Sequence, residues 1–107
     1  MNVRDDFGNT VLHWAAEAGQ LKVIEYFVEK KNVDVHALND DEVSVLHLAV
    51  ENGYRDVIQY LAKEQGIDVN ARSFWGKTAL HLAVEKGHLA VVKYFVEEEK
   101  ADVSAFR

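Results

Sequence analysis

A ten-residue phrase occurs three times in this chain. It reads TVLHWAAEAG at residues 10–19, SVLHLAVENG at 44–53 and TALHLAVEKG at 78–87, each copy 34 positions after the one before. A fixed period of this kind must be explained first, because each copy is then one supersecondary unit that cannot bury its apolar face alone. Blocks of 34 run over residues 2–35, 36–69 and 70–103, with 104–107 opening a fourth. The second halves repeat as well: Val23, Tyr26, Asp34 and Val35 recur as Val57, Tyr60, Asp68 and Val69, and as Val91, Tyr94, Asp102 and Val103. The expected architecture is all-α, a single domain that is a solenoid of stacked helix pairs.

Local chemistry gives each block two short helices. Thr10, Ser44 and Thr78 precede an apolar-periodic run, where a hydroxyl accepts from the free N–H groups of the first turn. That run stops at Gly19, Gly53 or Gly87, residues suited to a left-handed helix end. A second helix follows, as in QLKVIEYFVEKK, with Leu21, Ile24, Phe27 and Val28 at helical spacing. Neither helix is long enough to persist alone in water. Between blocks, Asp5, Asn39 and Ser73 can close turns onto their own backbone, and Gly8 and Gly76 tolerate positive φ. These links read as tight turns projecting from the stack.

DFGNTVLHWAAEAGQLKVIEYFVEKKNVDV and FWGKTALHLAVEKGHLAVVKYFVEEEKADV resemble ankyrin repeats, and the resemblance covers almost the whole chain. Tetratricopeptide repeats share the period, but they pair two longer helices of similar length, whereas the first helix here closes after two turns. The family period is usually 33, and the extra residue falls after the second helix, in EKKNVDV, KEQGIDV and EEEKADV. The chain departs from the family pattern in three ways. It has no proline, so Val11, Val45 and Ala79 stand where proline commonly follows the capping residue. Glu42 replaces the turn glycine of the second block. The outer blocks keep apolar residues that terminal repeats normally exchange for polar ones, which points to self-association through uncapped ends or to a segment of a longer array. Trp14, standing where Leu48 and Leu82 do, is expected to cover part of the first repeat's end.

Composition narrows the function. The chain has 107 residues, no cysteine and a net charge of −6. A phosphate-backbone binder needs clustered Lys and Arg, so no nucleic acid is expected. No apolar run is long enough to span a bilayer and the first ten residues are polar, so no membrane is expected either. Without cysteine there is neither a disulfide framework nor a thiolate metal site, which suits an intracellular, cytoplasmic location.

No catalytic residues, metal or cofactor are expected. His13, His47 and His81 recur in register, but helices pack about 8–10 Å apart, beyond the roughly 2 Å each needs to a shared zinc. In the family this histidine ties neighbouring turns together by hydrogen bonds. His36 and His88 fall outside the pattern and are expected at the surface. The run Asn39–Glu42 lacks the alternation and glycine of a calcium loop. No nucleophile elbow or phosphate loop is present.

The resemblance instead implies a protein-binding module whose turn tips and first-helix faces form a concave recognition surface. In this chain those positions are Asp6, Phe7, Asn9, Glu17 and Ala18 in the first repeat. In the second they are Asp40, Asp41, Val43, Glu51 and Asn52, and in the third Phe74, Trp75, Lys77, Glu85 and Lys86. All are expected to be solvent-exposed, with the aromatics as anchors. The middle repeat carries two cations against seven anions, the first four against six, and the third five against five. Charge complementarity then favours a protein partner with a basic stretch beside an apolar residue. The alternative is a structural segment of a longer array whose binding surface lies elsewhere.

Overall fold

The computed structural model describes residues 3–72 and 76–98. Within them three helix pairs follow one another: α1 (Val11–Glu17) and α2 (Leu21–Lys31); α3 (Val45–Glu51) and α4 (Arg55–Gln59), the latter continuing as a π-helical turn, Tyr60–Glu64; and α5 (Ala79–Glu85) and α6 (Leu89–Glu97). The inner helices α1, α3 and α5 contact one another in series, and each also packs on the second helix of its own repeat. Among the described residues there is no strand, only an isolated antiparallel bridge between Leu38 and Ser44 at the base of the second turn. The all-α solenoid expected from the period is the fold observed.

The caps explain why the inner helices start where they do. Thr10, Ser44 and Thr78 sit in extended backbone, and each hydroxyl accepts from the backbone N–H three residues on, at His13, His47 and His81. The histidine rings return the contact: Nδ1 of His13 accepts from the Thr10 N–H at 3.0 Å, and Nδ1 of His81 from the Thr78 N–H at 3.0 Å. Each cap thus satisfies donors that a helix start would otherwise leave open.

One apolar stripe holds the stack together. Leu12, Ala15 and Ala16 are buried in α1, and Leu46, Ala49 and Val50 occupy the same places in α3. The spacing i, i+3, i+4 puts each trio on one helix face, and the alanines let neighbouring inner helices approach closely. In the second helices, Ile24 and Ile58 are both fully buried.

The links after Lys31 and Glu64 share one kind of ending. Asn32 (φ 53°) and Gly66 (φ 64°) both take the left-handed conformation. The next residue then closes the helix: Val33 N–H donates to Phe27 O at 3.1 Å, and Ile67 N–H to Leu61 O at 3.2 Å. These are Schellman-type endings, which satisfy a carbonyl the helix cannot. Asp34 and Asp68 start the following turn by accepting from the N–H of His36 and Asn70 at 2.8 and 2.9 Å.

Candidate protein-binding surface

The projecting tips are built by side chains that turn back on their own backbone. Asp5 Oδ1 accepts from the N–H groups of Phe7 and Asn9, both at 2.9 Å. Its other oxygen accepts from Asn9 Nδ2 at 3.2 Å and from the Trp14 indole at 3.0 Å. Asn39 repeats the device, accepting from the N–H groups of Asp41 and Val43 at 2.9 and 3.0 Å. Gly8 and Gly76 have φ near +79° and +72°, and Glu42, in the same place, has φ 59°. The second tip therefore keeps the left-handed residue of Gly8 and Gly76 although glycine is missing.

The first and second tips are bonded to each other. The Asp40 N–H donates to Phe7 O at 3.0 Å, and Asn39 Nδ2 donates to Asn9 Oδ1 at 2.9 Å. Arg4 spans the pair, donating to Gly8 O at 2.8 Å and Leu38 O at 2.7 Å. Arg72, the residue in register with Arg4, makes the equivalent contact to Gly76 O. A Cβ on Gly8 would lie 2.8 Å from the backbone nitrogen of Asp40, so the close approach also requires glycine. A surface held this way loses little conformational freedom on binding.

Below the tips, the first two repeats are tied by His13. Its Nδ1 is the acceptor for Thr10, so Nε2 carries the proton and donates to Val43 O at 2.9 Å. His47 Nδ1 lies 2.6 Å from Ser44 Oγ, but its Nε2 makes no hydrogen bond of ordinary geometry toward the facing Lys77 backbone. Desolvation lowers the pKa of both rings, opposed at His13 by the Val43 carbonyl and at His47 by the Lys77 backbone.

The expected contact residues fall into four groups. Asp6, Phe7, Glu17, Ala18, Asp40, Asp41, Glu51, Asn52, Glu85 and Lys86 are exposed, Phe7 at 71 %. Asn9 and Lys77 are half-buried and already engaged, Asn9 between the tips and Lys77 with Glu85 at 2.8 Å. Phe74 and Trp75 lie outside the described residues. Val43 corrects the expectation of exposure: it is 7 % exposed, folded under the second tip by the Asn39–Val43 backbone pair. Asn9 and Lys77 in register suggested a polar surface position, and the apolar side chain was the signal against it.

Two further residues behave differently from their sequence reading. His88 is half-buried rather than free: its ring lies over Gly53, and Nε2 donates to Glu51 O at 3.1 Å. Trp14, expected to cover part of the first repeat's end, is itself 59 % exposed. It lines an open, mainly apolar cleft with Val3, Arg4 and Val11.

The surface charge is strongly local. Desolvation acts to raise the Asp5 carboxyl, but the hydrogen bonds from Asn9, Phe7 and Trp14 together outweigh it and hold the pKa below the ordinary value. The Lys77 hydrogen bond and charge lower that of Glu85. Among the described residues, no three His, Cys, Asp or Glu are grouped to hold a metal ion, and no helix is long and apolar enough to cross a membrane.

Stacked two-helix units with projecting, mutually bonded turns define a solenoid of the protein-interaction class. Family models specify it further: ankyrin repeats, as three copies, match residues 1–73, and a further ankyrin repeat matches residues 75–106. The chain belongs to the ankyrin repeat family, whose members are generally non-catalytic modules that bind proteins. No curated protein matches the sequence.

Proposed function

We propose that this chain is a non-catalytic, intracellular protein-binding module that receives a segment carrying a basic stretch next to an apolar residue. The observation that supports this most directly is the tip row itself. Asp6, Phe7, Asp40 and Asp41 are exposed on turns locked to each other by the Phe7–Asp40 backbone bond. Carboxylates beside an exposed ring suit a cationic residue followed by an apolar one, and a pre-ordered tip makes that recognition cheap in entropy. Phe74 and Trp75 supply the apolar anchors of the third tip in this reading.

Binding of basic–apolar peptides to the wild-type chain and to tip variants tests the proposal. Asp40→Asn with Asp41→Asn weakens binding and flattens its salt dependence. Phe74→Ala with Trp75→Ala costs about 2 kcal/mol of affinity, as truncation of interface anchors does, with little change in thermal midpoint. Equal binding by wild type and both variants would discard the tip surface. A second reading, a structural segment of a longer array, is favoured by the exposed Val84 and Leu89 on the third repeat; it predicts no peptide binding at the tips at all.

A further inference from the structure

Corresponding residues of the three repeats are buried or exposed according to whether a neighbour covers them. Val57 and Val91 are 0 and 2 % exposed, but Val23, in the same position of the first repeat, is 38 % exposed. Tyr60 and Tyr94 are 8 and 2 % exposed against 49 % for Tyr26. The pattern reverses at the other end: Ala16 and Val50 are fully buried, and Val84 is 50 % exposed. Leu89 and Val96 are exposed beside it, around an apolar groove lined by Ala83, Val84, Gly87, Leu89 and Val92. The first repeat thus shows the face that later repeats use to bind backward, and the third shows the face that earlier repeats use to bind forward.

We propose that a second copy of this chain stacks head-to-tail on the first, its Trp14–Tyr26 face covering the Val84–Leu89–Val96 face of the third repeat. The internal junctions specify the register. Between repeats one and two, Glu29 accepts from the Tyr60 hydroxyl at 2.9 Å. The same step from the third repeat puts the Tyr26 hydroxyl of the second copy on Glu97. Between repeats two and three, the Arg55 guanidinium stands 6.0 Å from the centre of the Tyr94 ring, and Lys63 pairs with Glu98 at 3.9 Å. One step on, Leu89 lies against Tyr26, and Glu97 faces Lys30. The ion pair is kept with its signs exchanged. Tyr54 and His88 pack their rings on Gly19 and Gly53, and the space over Gly87 is open; Gln20 of the second copy is the residue delivered there. The stacked pair presents one face of each kind, so the contact is heterologous and extends. An exposed apolar face on each end supplies the driving force. The residues varied below, Tyr26, Lys30, Leu89 and Glu97, are not among the tip residues of the surface proposed above.

Sedimentation of the full chain tests the stacking, with Leu89→Glu blocking one face and Tyr26→Glu the other. Wild type gains mass with concentration, and each variant alone lowers the association constant by at least about tenfold. An equimolar mixture of the two variants recovers a dimer that grows no further, because one intact face of each kind remains. Circular dichroism confirms that both variants fold, as expected for side chains 64 and 49 % exposed. Charge exchange gives an independent arm: Lys30→Glu and Glu97→Lys each weaken association alone, and mixing them restores it. A wild type that stays monomeric at high concentration, a blocked variant that associates like wild type, or mixtures that fail to rescue would overturn the proposal.

Discussion

His13 reaches across a repeat boundary: Nε2 donates to the Val43 carbonyl at 2.9 Å while Nδ1 accepts from the Thr10 N–H at 3.0 Å. The ring is fully buried and caps its own helix while holding the next turn. His47 caps its helix but makes no equivalent bond through Nε2. Leucine at either position removes the cap contacts, but only at His13 does it also remove a bond to the next repeat, the Val43 carbonyl keeping the Asn39 N–H as its other donor. His13→Leu should therefore destabilise by about 0.5–1.5 kcal/mol more than His47→Leu, the net worth of one hydrogen bond. Urea denaturation of the two variants measures the difference, and equal costs would show that the bond to Val43 contributes nothing net.

The same burial makes stability depend on pH. Both rings have folded-state pKa values below the ordinary 6.5, first because of desolvation. The unfolded chain then binds more protons as pH falls, so stability is full above that ordinary value and is lost as pH drops through the folded values. Thermal midpoints should decline on acidification from neutral pH, before carboxylates begin to titrate. His13→Leu should reduce the slope. A midpoint unchanged across this window would mean that the rings are free to protonate in the folded state.

Glu42 holds a left-handed backbone, φ 59°, that a side chain disfavours by about 1 kcal/mol. Glu42→Gly removes that strain but makes the unfolded chain more flexible, an opposing term of about 0.4–1 kcal/mol. The expected result is a net gain of about 0.5 kcal/mol from relief of backbone strain and of repulsion by Asp40 and Asp41. Gly76→Glu should cost as much or more. If Glu42→Gly lowers the denaturation midpoint, strain at this turn is compensated by contacts of the glutamate.

Gly19 and Gly87 separate backbone strain from steric fit. Their φ values, 70° and 72°, are nearly the same. A Cβ on Gly19 would meet the Tyr54 ring at 2.7 Å, and one on Gly87 would meet nothing within 4 Å. Alanine at Gly87 should cost about 1–2 kcal/mol, the left-handed penalty alone. At Gly19 it should cost about 1–3 kcal/mol more, because the ring must shift. Thermal melts of dilute protein would show the difference, and equal losses would mean that Tyr54 moves aside freely.

What the sequence determined by itself was everything that repeats locally. The period, the two helices per unit, the Thr and Ser caps, the Asp5 and Asn39 turns and the positive φ at Glu42 all follow from short-range chemistry stated more than once. Repetition lets each copy check the register of the others. What only the tertiary structure decided was the environment of residues that share a register but not a neighbour. Val23 and Val57 are the same residue in the same place of a helix, yet one is 38 % exposed and the other fully buried. Val43 aligned with Asn9 and Lys77, and the backbone path of its turn put it inside. His88 gained a partner because the preceding repeat presents Gly53 and the Glu51 carbonyl to it. Trp14 aligned with leucines, yet its ring lies at the surface, tied to Asp5. In a solenoid the local code fixes each unit. Burial is a property of the junction, so it depends on which units are stacked and in what order.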